Sequence, residues 1–218
     1  MNNQEVINQI DKYKIIAIVR GLTNEEIIPA VEAMYEGGIR LVEVTFDQSG
    51  KFSEEYVAGQ IKAIADKFQG KVIVGAGTVM TKSQVDAAKG AGARYMISPN
   101  TDEEVIKYTV ANDLISIPGA LTPSEAANAH AWGAHYVKLF PAGDLGLSYI
   151  KSVKAPLNHI KFLAVGGIDE NNLADFIGAG IGGVGVGSSI VKKDLIKNDE
   201  YQKITELARK YTSQIGEK

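Results

Sequence analysis

A single-domain α/β chain folded as a (β/α)8 TIM barrel is the class this sequence predicts, on three observations. Short runs rich in Val and Ile recur along the chain, amphipathic stretches lie between them, and no Gly-x-Gly-x-x-Gly turn follows the first run, where Arg20-Gly21-Leu22 stands instead. The runs are Ile15 to Val19, Leu41 to Phe46, Val72 to Val74, Tyr95 to Ile97, Leu114 to Ile117, Tyr136 to Phe140, Lys161 to Val165 and Val184 to Val186. Eight strand-helix units suit a closed barrel, with the active site at the carboxyl ends of the strands. An open doubly wound sheet is the alternative topology, and there too function gathers at the strand ends. The missing glycine turn favours the barrel, as one domain over residues 1–218.

The helical stretches carry their own start and stop signals. Thr23 to Tyr35, Thr101 to Ala111 and Thr122 to Trp132 are amphipathic, and Thr122-Pro123-Ser124-Glu125 combines an N-cap, proline in the first helical position and a carboxylate two residues further on. Glycines at Gly37-Gly38, Gly90 to Gly92, Gly133 and Gly178 to Gly180 fall where helices hand over to strands, as left-handed C-caps do. Tyr201 to Tyr211 has apolar residues at Ile204, Leu207 and Ala208, as expected of a helix closing against the barrel.

Composition excludes several function classes. Of 218 residues 45% are hydrophobic, and a chain of this length buries roughly 70% of its unfolded surface. A net charge of -3, from 23 Lys+Arg against 26 Asp+Glu without long blocks of either sign, gives no footprint for nucleic acid or an anionic membrane. The partner expected is a small molecule. The absence of cysteine removes thiol nucleophiles and thiolate metal sites, and His130, His135 and His159 lack ligand spacing, so no cofactor or metal is expected. The first residues, Met1-Asn2-Asn3-Gln4-Glu5, show neither a basic nor an apolar leader region, and a cytoplasmic location is expected.

Within this frame Lys138 is the most informative residue. It is a lone cation in Tyr136-Val137-Lys138-Leu139-Phe140, a run that reads as a buried strand. An ordinary lysine, with a pKa of about 10.4, is almost wholly protonated at pH 7, so an amine nucleophile needs that value lowered by roughly 3, about 4 kcal/mol. Burial can supply this, although a structural ion pair or an amine snorkelling to the rim would fit the position equally well. Period-two alternation puts Leu41, Glu43 and Thr45 on one face of their strand and Tyr136, Lys138 and Phe140 on one face of theirs. Glu43 and Lys138 can therefore meet across the barrel mouth as carboxyl group and amine.

Glycine clusters follow the last two strands, as Gly166-Gly167-Ile168-Asp169 and Gly185-Val186-Gly187-Ser188-Ser189. Loops in these places hold phosphate through backbone N–H groups in many barrels. Asp169 is expected to cap the next helix, and Lys192-Lys193-Asp194 to lie in solvent. The third strand leaves through Gly75-Ala76-Gly77-Thr78-Val79 and the fourth through Ile97-Ser98-Pro99-Asn100, whose small residues leave space for a ligand.

Taken together, Val42-Glu43-Val44-Thr45, Gly75-Ala76-Gly77-Thr78-Val79, Ile97-Ser98-Pro99, Ile117-Pro118-Gly119, Val137-Lys138-Leu139-Phe140-Pro141-Ala142 and Gly166-Gly167-Ile168 closely resemble the class I aldolases acting on 2-keto-3-deoxy-6-phosphogluconate (KDPG) and 4-hydroxy-2-oxoglutarate (KHG). The resemblance runs in order over nearly the whole chain. It implies a metal-free Schiff-base lyase, commonly a homotrimer, that forms an imine at Lys138 and moves protons through Glu43. It places Thr78, Pro99 and Phe140 in the keto-acid pocket, and Arg20, Gly166, Gly167, Gly187 and Ser188 around a phosphate. The implied reaction is reversible cleavage of KDPG to pyruvate and glyceraldehyde 3-phosphate, or of 4-hydroxy-2-oxoglutarate to pyruvate and glyoxylate.

The sequence departs from this pattern at two positions. Asp47 stands where the family usually has an arginine to clamp the pyruvate carboxylate, and Val165 replaces the threonine that precedes the glycine pair. Either another cation holds the carboxylate, or the donor differs and Asp47 and Gln48 address a hydroxyl or amine. A related keto-deoxy sugar acid is an alternative substrate. An isomerase or epimerase using Glu43 and Lys138 without a covalent step, or a noncatalytic sugar-phosphate sensor, are alternatives from other classes.

Overall fold

Strand and helix alternate almost throughout the computed structural model, which describes residues 1–215. The strands are β1 (Ile15–Val19), β2 (Leu41–Thr45), β3 (Ile73–Gly77), β4 (Tyr95–Ile97), β5 (Ile115–Ile117), β6 (Gly119–Ala120), β7 (Val137–Leu139), β8 (Phe162–Val165) and β9 (Gly183–Val186). The helices are α1 (Asn3–Tyr13), α2 (Asn24–Glu36), α3 (Glu54–Phe68), α4 (Lys82–Gly90), α5 (Glu103–Ala111), α6 (Pro123–Ala131), α7 (Ala142–Lys154), α8 (Leu173–Gly178), α9 (Lys193–Lys197) and α10 (Tyr201–Thr212). Every pairing is parallel, in the order β5-β4-β3-β2-β1-β9-β8-β7-β6.

The ninth segment does not add a barrel position. Pro118 has no N–H to give to a ladder, so the fifth position is interrupted there. Its first half, β5, pairs with β4, and its second half, β6, pairs with β7. The Lys138 backbone N–H donates to the Pro118 carbonyl at 2.8 Å, which closes the ring at the break and fastens β7 beside it.

Side-chain alternation sorts the apolar residues into two layers. Ile16, Leu41, Ile73, Tyr95, Ile115, Tyr136 and Leu163 pack together inside the barrel, joined by Val6 and Ile10 of α1. Val42, Val44, Val74, Val137, Leu139 and Val184 face outward, into the layer shared with the helices. The helix α1 plugs the barrel at its amino end. Asn2 and Glu5 form its capping box, and Asp11 accepts hydrogen bonds from the Tyr136 hydroxyl and the Lys161 amine, both at 2.7 Å. The expected stop signals are present, since Gly38, Gly92, Gly133 and Gly180 adopt φ of +97°, +97°, +99° and +79°. The α6 capping box forms between Thr122 and Glu125, and α10 packs across α2.

One glycine of β3 is explained by volume. A Cβ at Gly75 would overlap the ring of Tyr95, which fills the barrel interior and donates from its hydroxyl to the Val42 carbonyl at 2.7 Å. The space expected for a ligand at this residue is therefore taken by a side chain of the next strand. Gly75→Ala should destabilise the protein by about 1–3 kcal/mol through overpacking. Because the clash is with one partner, Gly75→Ala combined with Tyr95→Leu should cost less than the sum of the two single changes in urea titrations. Strict additivity would exclude this packing account.

Candidate active site

The carboxyl ends of the strands surround a cavity of about 1350 Å³. All the site residues expected from the sequence line it. Arg20 arrives from the end of β1, Glu43 from β2, Thr78 and Pro99 from just beyond β3 and β4, Lys138 and Phe140 from β7, Gly166 and Gly167 from beyond β8, and Gly187 and Ser188 from beyond β9.

Glu43 and Lys138 are the buried ionisable residues of this cavity, 2% and 6% exposed. They share the interior face because each has the parity of its barrel-facing neighbour, Leu41 and Tyr136. The carboxylate has room only because residue 77 is glycine, as a Cβ there would overlap it. Here too the small residue makes space for a side chain rather than for ligand alone. The two groups remain more than 4.0 Å apart, so no direct ion pair joins them among the described residues.

Burial sets the electrostatics of the pair. It raises the Glu43 pKa against the opposing pull of the Lys138 and Arg20 charges. It lowers the Lys138 pKa; the Glu43 carboxylate opposes that shift and the Arg20 guanidinium adds to it. Both shifts favour the uncharged partners, a free amine beside a protonated acid, over the ion pair. The Lys138 ammonium position lies 4.8 Å from the centre of the Phe140 ring, and that ring in turn covers Gly166, where a Cβ would approach it to 3.1 Å. Thr78 sits at the mouth with φ of +54°, a left-handed conformation that costs a non-glycine residue roughly 1–2 kcal/mol.

Beyond β8 and β9 the backbone is open. Gly166 and Gly167 have φ of +87° and +71°, and the N–H groups of Gly166, Gly167, Gly187 and Ser188 find no protein acceptor among the described residues. Asp169 organises the turn ahead of α8, accepting from the Asn171 and Asn172 N–H groups at 2.8 and 3.2 Å, but Asn172 rather than Asp169 holds the N-cap position.

Asp47 and Gln48 both line the cavity, but the hydrogen bonds of the Asp47 carboxylate favour the alternative in which another group holds the substrate carboxylate. The Asp47 oxygens are turned into their own loop. One accepts from the backbone N–H groups of Lys51 and Phe52 at 2.7 and 3.0 Å, the other from the Ser49 N–H at 3.1 Å, and both accept from the Ser49 hydroxyl at 2.8 and 2.9 Å. These bonds, led by that from Phe52, pull its pKa from 3.8 down to about 2. Cavity-lining residues that sequence reasoning did not single out as site residues include Lys51 on this loop, Gln60 of α3, and Lys192 and Lys193 after β9. Spacing gave no signal for them, because each reaches the cavity from a loop or an outer helix.

A parallel barrel with a desolvated lysine and a carboxyl group at its carboxyl end suits an aldolase, a lyase that works through an amine. The chain belongs to the KDPG and KHG aldolase family, whose model matches residues 6–207. It is 37% identical over 182 residues to the 2-dehydro-3-deoxy-6-phosphogalactonate aldolase of Escherichia coli K12, covering 83% of this chain and 86% of that one. A probable 2-dehydro-3-deoxy-6-phosphogalactonate aldolase of Rhizobium meliloti is 34% identical over 203 residues, 93% of each chain. Among solved structures, the KDPG aldolase of Legionella pneumophila, which holds pyruvate captured at low pH as a covalent carbinolamine intermediate, superposes with a TM-score of 0.82 at 29% identity, over 92% of this chain and 94% of that one. No helix among the described residues is long and apolar enough to cross a membrane.

The Asp47 loop yields a pH prediction. A carboxyl group whose pKa is depressed in the folded state contributes stability that is fully present above its unfolded value, here 3.8, and is lost as pH falls through about 2. Asp47→Asn should therefore be less stable than wild type at pH 6, with the difference shrinking between pH 4 and 2. A difference in melting temperature that stays constant over that range would contradict the role given to the carboxylate.

Proposed function

We propose that the chain is a class I aldolase that cleaves a 2-keto-3-deoxy-6-phospho sugar acid through an imine at Lys138, with the galactonate epimer as its preferred substrate. The observation that carries the reading is the buried, unpaired approach of Lys138 and Glu43 at one end of the barrel. An uncharged amine can attack the 2-keto carbon, and a protonated Glu43 can give its proton to the departing water as the carbinolamine becomes an iminium. The carboxylate so formed takes the proton of the C4 hydroxyl. As C4 becomes an aldehyde, the electron pair of the C3–C4 bond moves into the iminium and leaves an enamine. Return of the proton from Glu43 to C3 gives the imine of pyruvate, and water releases pyruvate from Lys138.

The galactonate preference draws its support from the names of the two relatives at 37% and 34% identity, against 32% for the KHG/KDPG aldolase of Escherichia coli K12. The open backbone beyond β8 and β9, with Arg20 beside it, supports a phosphate at the far end of the substrate. The pyruvate carboxylate needs a partner other than residue 47, and Lys51 is a cation on the same loop that lines the cavity. A homotrimer, supported by the family resemblance, and a cytoplasmic location, supported by the composition and the N-terminal residues, complete the reading.

Borohydride reduction in the presence of pyruvate, read by intact mass and peptide mapping, should place an adduct on Lys138 and none on the Lys138→Ala protein. Glu43→Gln should lower turnover by roughly 10²–10⁴-fold. Failure to trap any adduct in folded wild-type protein, across a panel of keto acids, would instead favour an isomerase or a sensor. Substrate choice is read separately: kcat/KM should be higher for 2-keto-3-deoxy-6-phosphogalactonate than for its gluconate epimer, and the reverse order would remove the galactonate assignment while leaving the imine chemistry intact.

A further inference from the structure

After β9, Lys192 is half-buried and Lys193 is exposed, at the rim of the cavity. Lys192 and Lys193 line the same cavity as Arg20. The Lys193 amine reaches across to residue 21, where a Cβ would stand 3.2 Å from its Nζ. Residue 21 is a glycine with φ of +66°, so the lysine passes over bare backbone. Arg20 and Lys193 belong to the segments that leave β1 and β9, which are paired neighbours in the barrel, and the two cations flank the seam between those strands.

Charge at this end is not neutralised within the protein. Among the described residues neither Arg20, Lys192 nor Lys193 has a carboxylate oxygen within 4.0 Å. Two nearby acids also line the cavity: Asp194, beside Lys193 in sequence, and Asp169, which has one oxygen committed to the N–H groups of Asn171 and Asn172. The backbone N–H groups of Gly167 and Ser188, which lack protein acceptors, face the same end. Several uncompensated cations with backbone donors exceed what a single carboxylate requires. They match a phosphomonoester, which carries about −1.5 to −2 near pH 7 and presents three acceptor oxygens.

We propose that Lys193 is a specificity-determining residue which, together with Arg20, selects ligands ending in a phosphate dianion over those ending in a carboxylate or a hydroxyl. The inference deepens the phosphate-site part of the function proposed above and rests on it. An ammonium on a flexible stem suits the task, because it can follow the phosphate as a point charge while the guanidinium and backbone donors fix orientation.

Two measurements test it, one without turnover. In calorimetric titrations with sn-glycerol 3-phosphate, Lys193→Ala should bind roughly tenfold more weakly than wild type, and Lys193→Arg should recover most of the loss. Lys197→Ala, which removes a charge from the same helix away from the cavity, serves as the control for general electrostatics. In kinetics, Lys193→Ala should raise KM for the 6-phosphorylated keto-deoxy sugar acid by about the same factor, with a much smaller change in kcat. Equal glycerol 3-phosphate binding by Lys193→Ala and Lys197→Ala would overturn the proposal. Weakened binding by Lys193→Ala in a protein that forms no imine with any keto acid would uphold the role of Lys193 and reject the aldolase reading alone.

Discussion

Two ionisable side chains of opposite sign share one end of a closed barrel without touching, and much of the site follows from that separation. Charges withdrawn from water are costly, and a tight contact between them repays part of the cost by fixing both as ions. Glu43 and Lys138 are nearly as buried as the hydrophobic residues around them but lack the contact. Burial then shifts both groups toward their uncharged forms, raising the pKa of the acid and lowering that of the amine. Arg20 works in the same direction on Lys138, since a positive neighbour disfavours a second positive charge. The arrangement depends on packing at a distance from the chemistry: glycine at 77 admits the carboxylate, and Tyr95, anchored on the Val42 carbonyl, fills the space beside glycine 75.

Asp47 shows how completely surroundings decide what a carboxyl group does. It stands only a short step along the chain from Glu43, yet its pKa moves the opposite way. Glu43 enters the barrel, loses water and is held toward its protonated form. Asp47 lies outside, where backbone N–H groups and a hydroxyl supply the hydrogen bonds that stabilise its charge. One carboxyl group is held toward its protonated form and the other becomes the tie of a loop. An arginine introduced at 47 would remove the acceptors on which residues 49 to 52 are hung, so it would not simply add a clamp.

Much of this was legible in the sequence because the governing rules are local. Alternation placed Glu43 and Lys138 on interior faces, and the apolar neighbours Leu41 and Tyr136 confirm that parity. Glycine stops marked the helix ends through their left-handed φ values. The N-terminal helix has local signals of its own, a capping box at Asn2 and Glu5 and a shared face of Val6 and Ile10, but its role as a plug at the foot of the barrel exists only once the barrel has closed. The volumes missing at Gly75 and Gly77 are taken by Tyr95 and Glu43 rather than left for ligand, because sequence gives the size of a residue but not which neighbour fills the space beside it. The split of the fifth strand follows from Pro118, but a run that stopped at Ile117 hid the short continuation beyond it. Lys193 gives no signal in sequence for a related reason: a charge run reads as solvated until the fold brings the start of α9 over Gly21 and into the lining that Arg20 shares.

The two ends of the cavity differ in a way that orients whatever enters. At the Lys138 end the walls are buried and burial pushes the pKa of the amine down, in a region of weak screening. Toward β9 and β1 the cavity opens onto exposed cations and unpaired backbone donors. An elongated anion with a phosphate at one end and a carbonyl near the other gains most when the phosphate stays at the open end, because moving that charge inward would exchange water and cations for a desolvated site. In the function proposed above, such a field would order the ligand before the covalent step, and the position of Lys138 would determine which carbon the amine reaches.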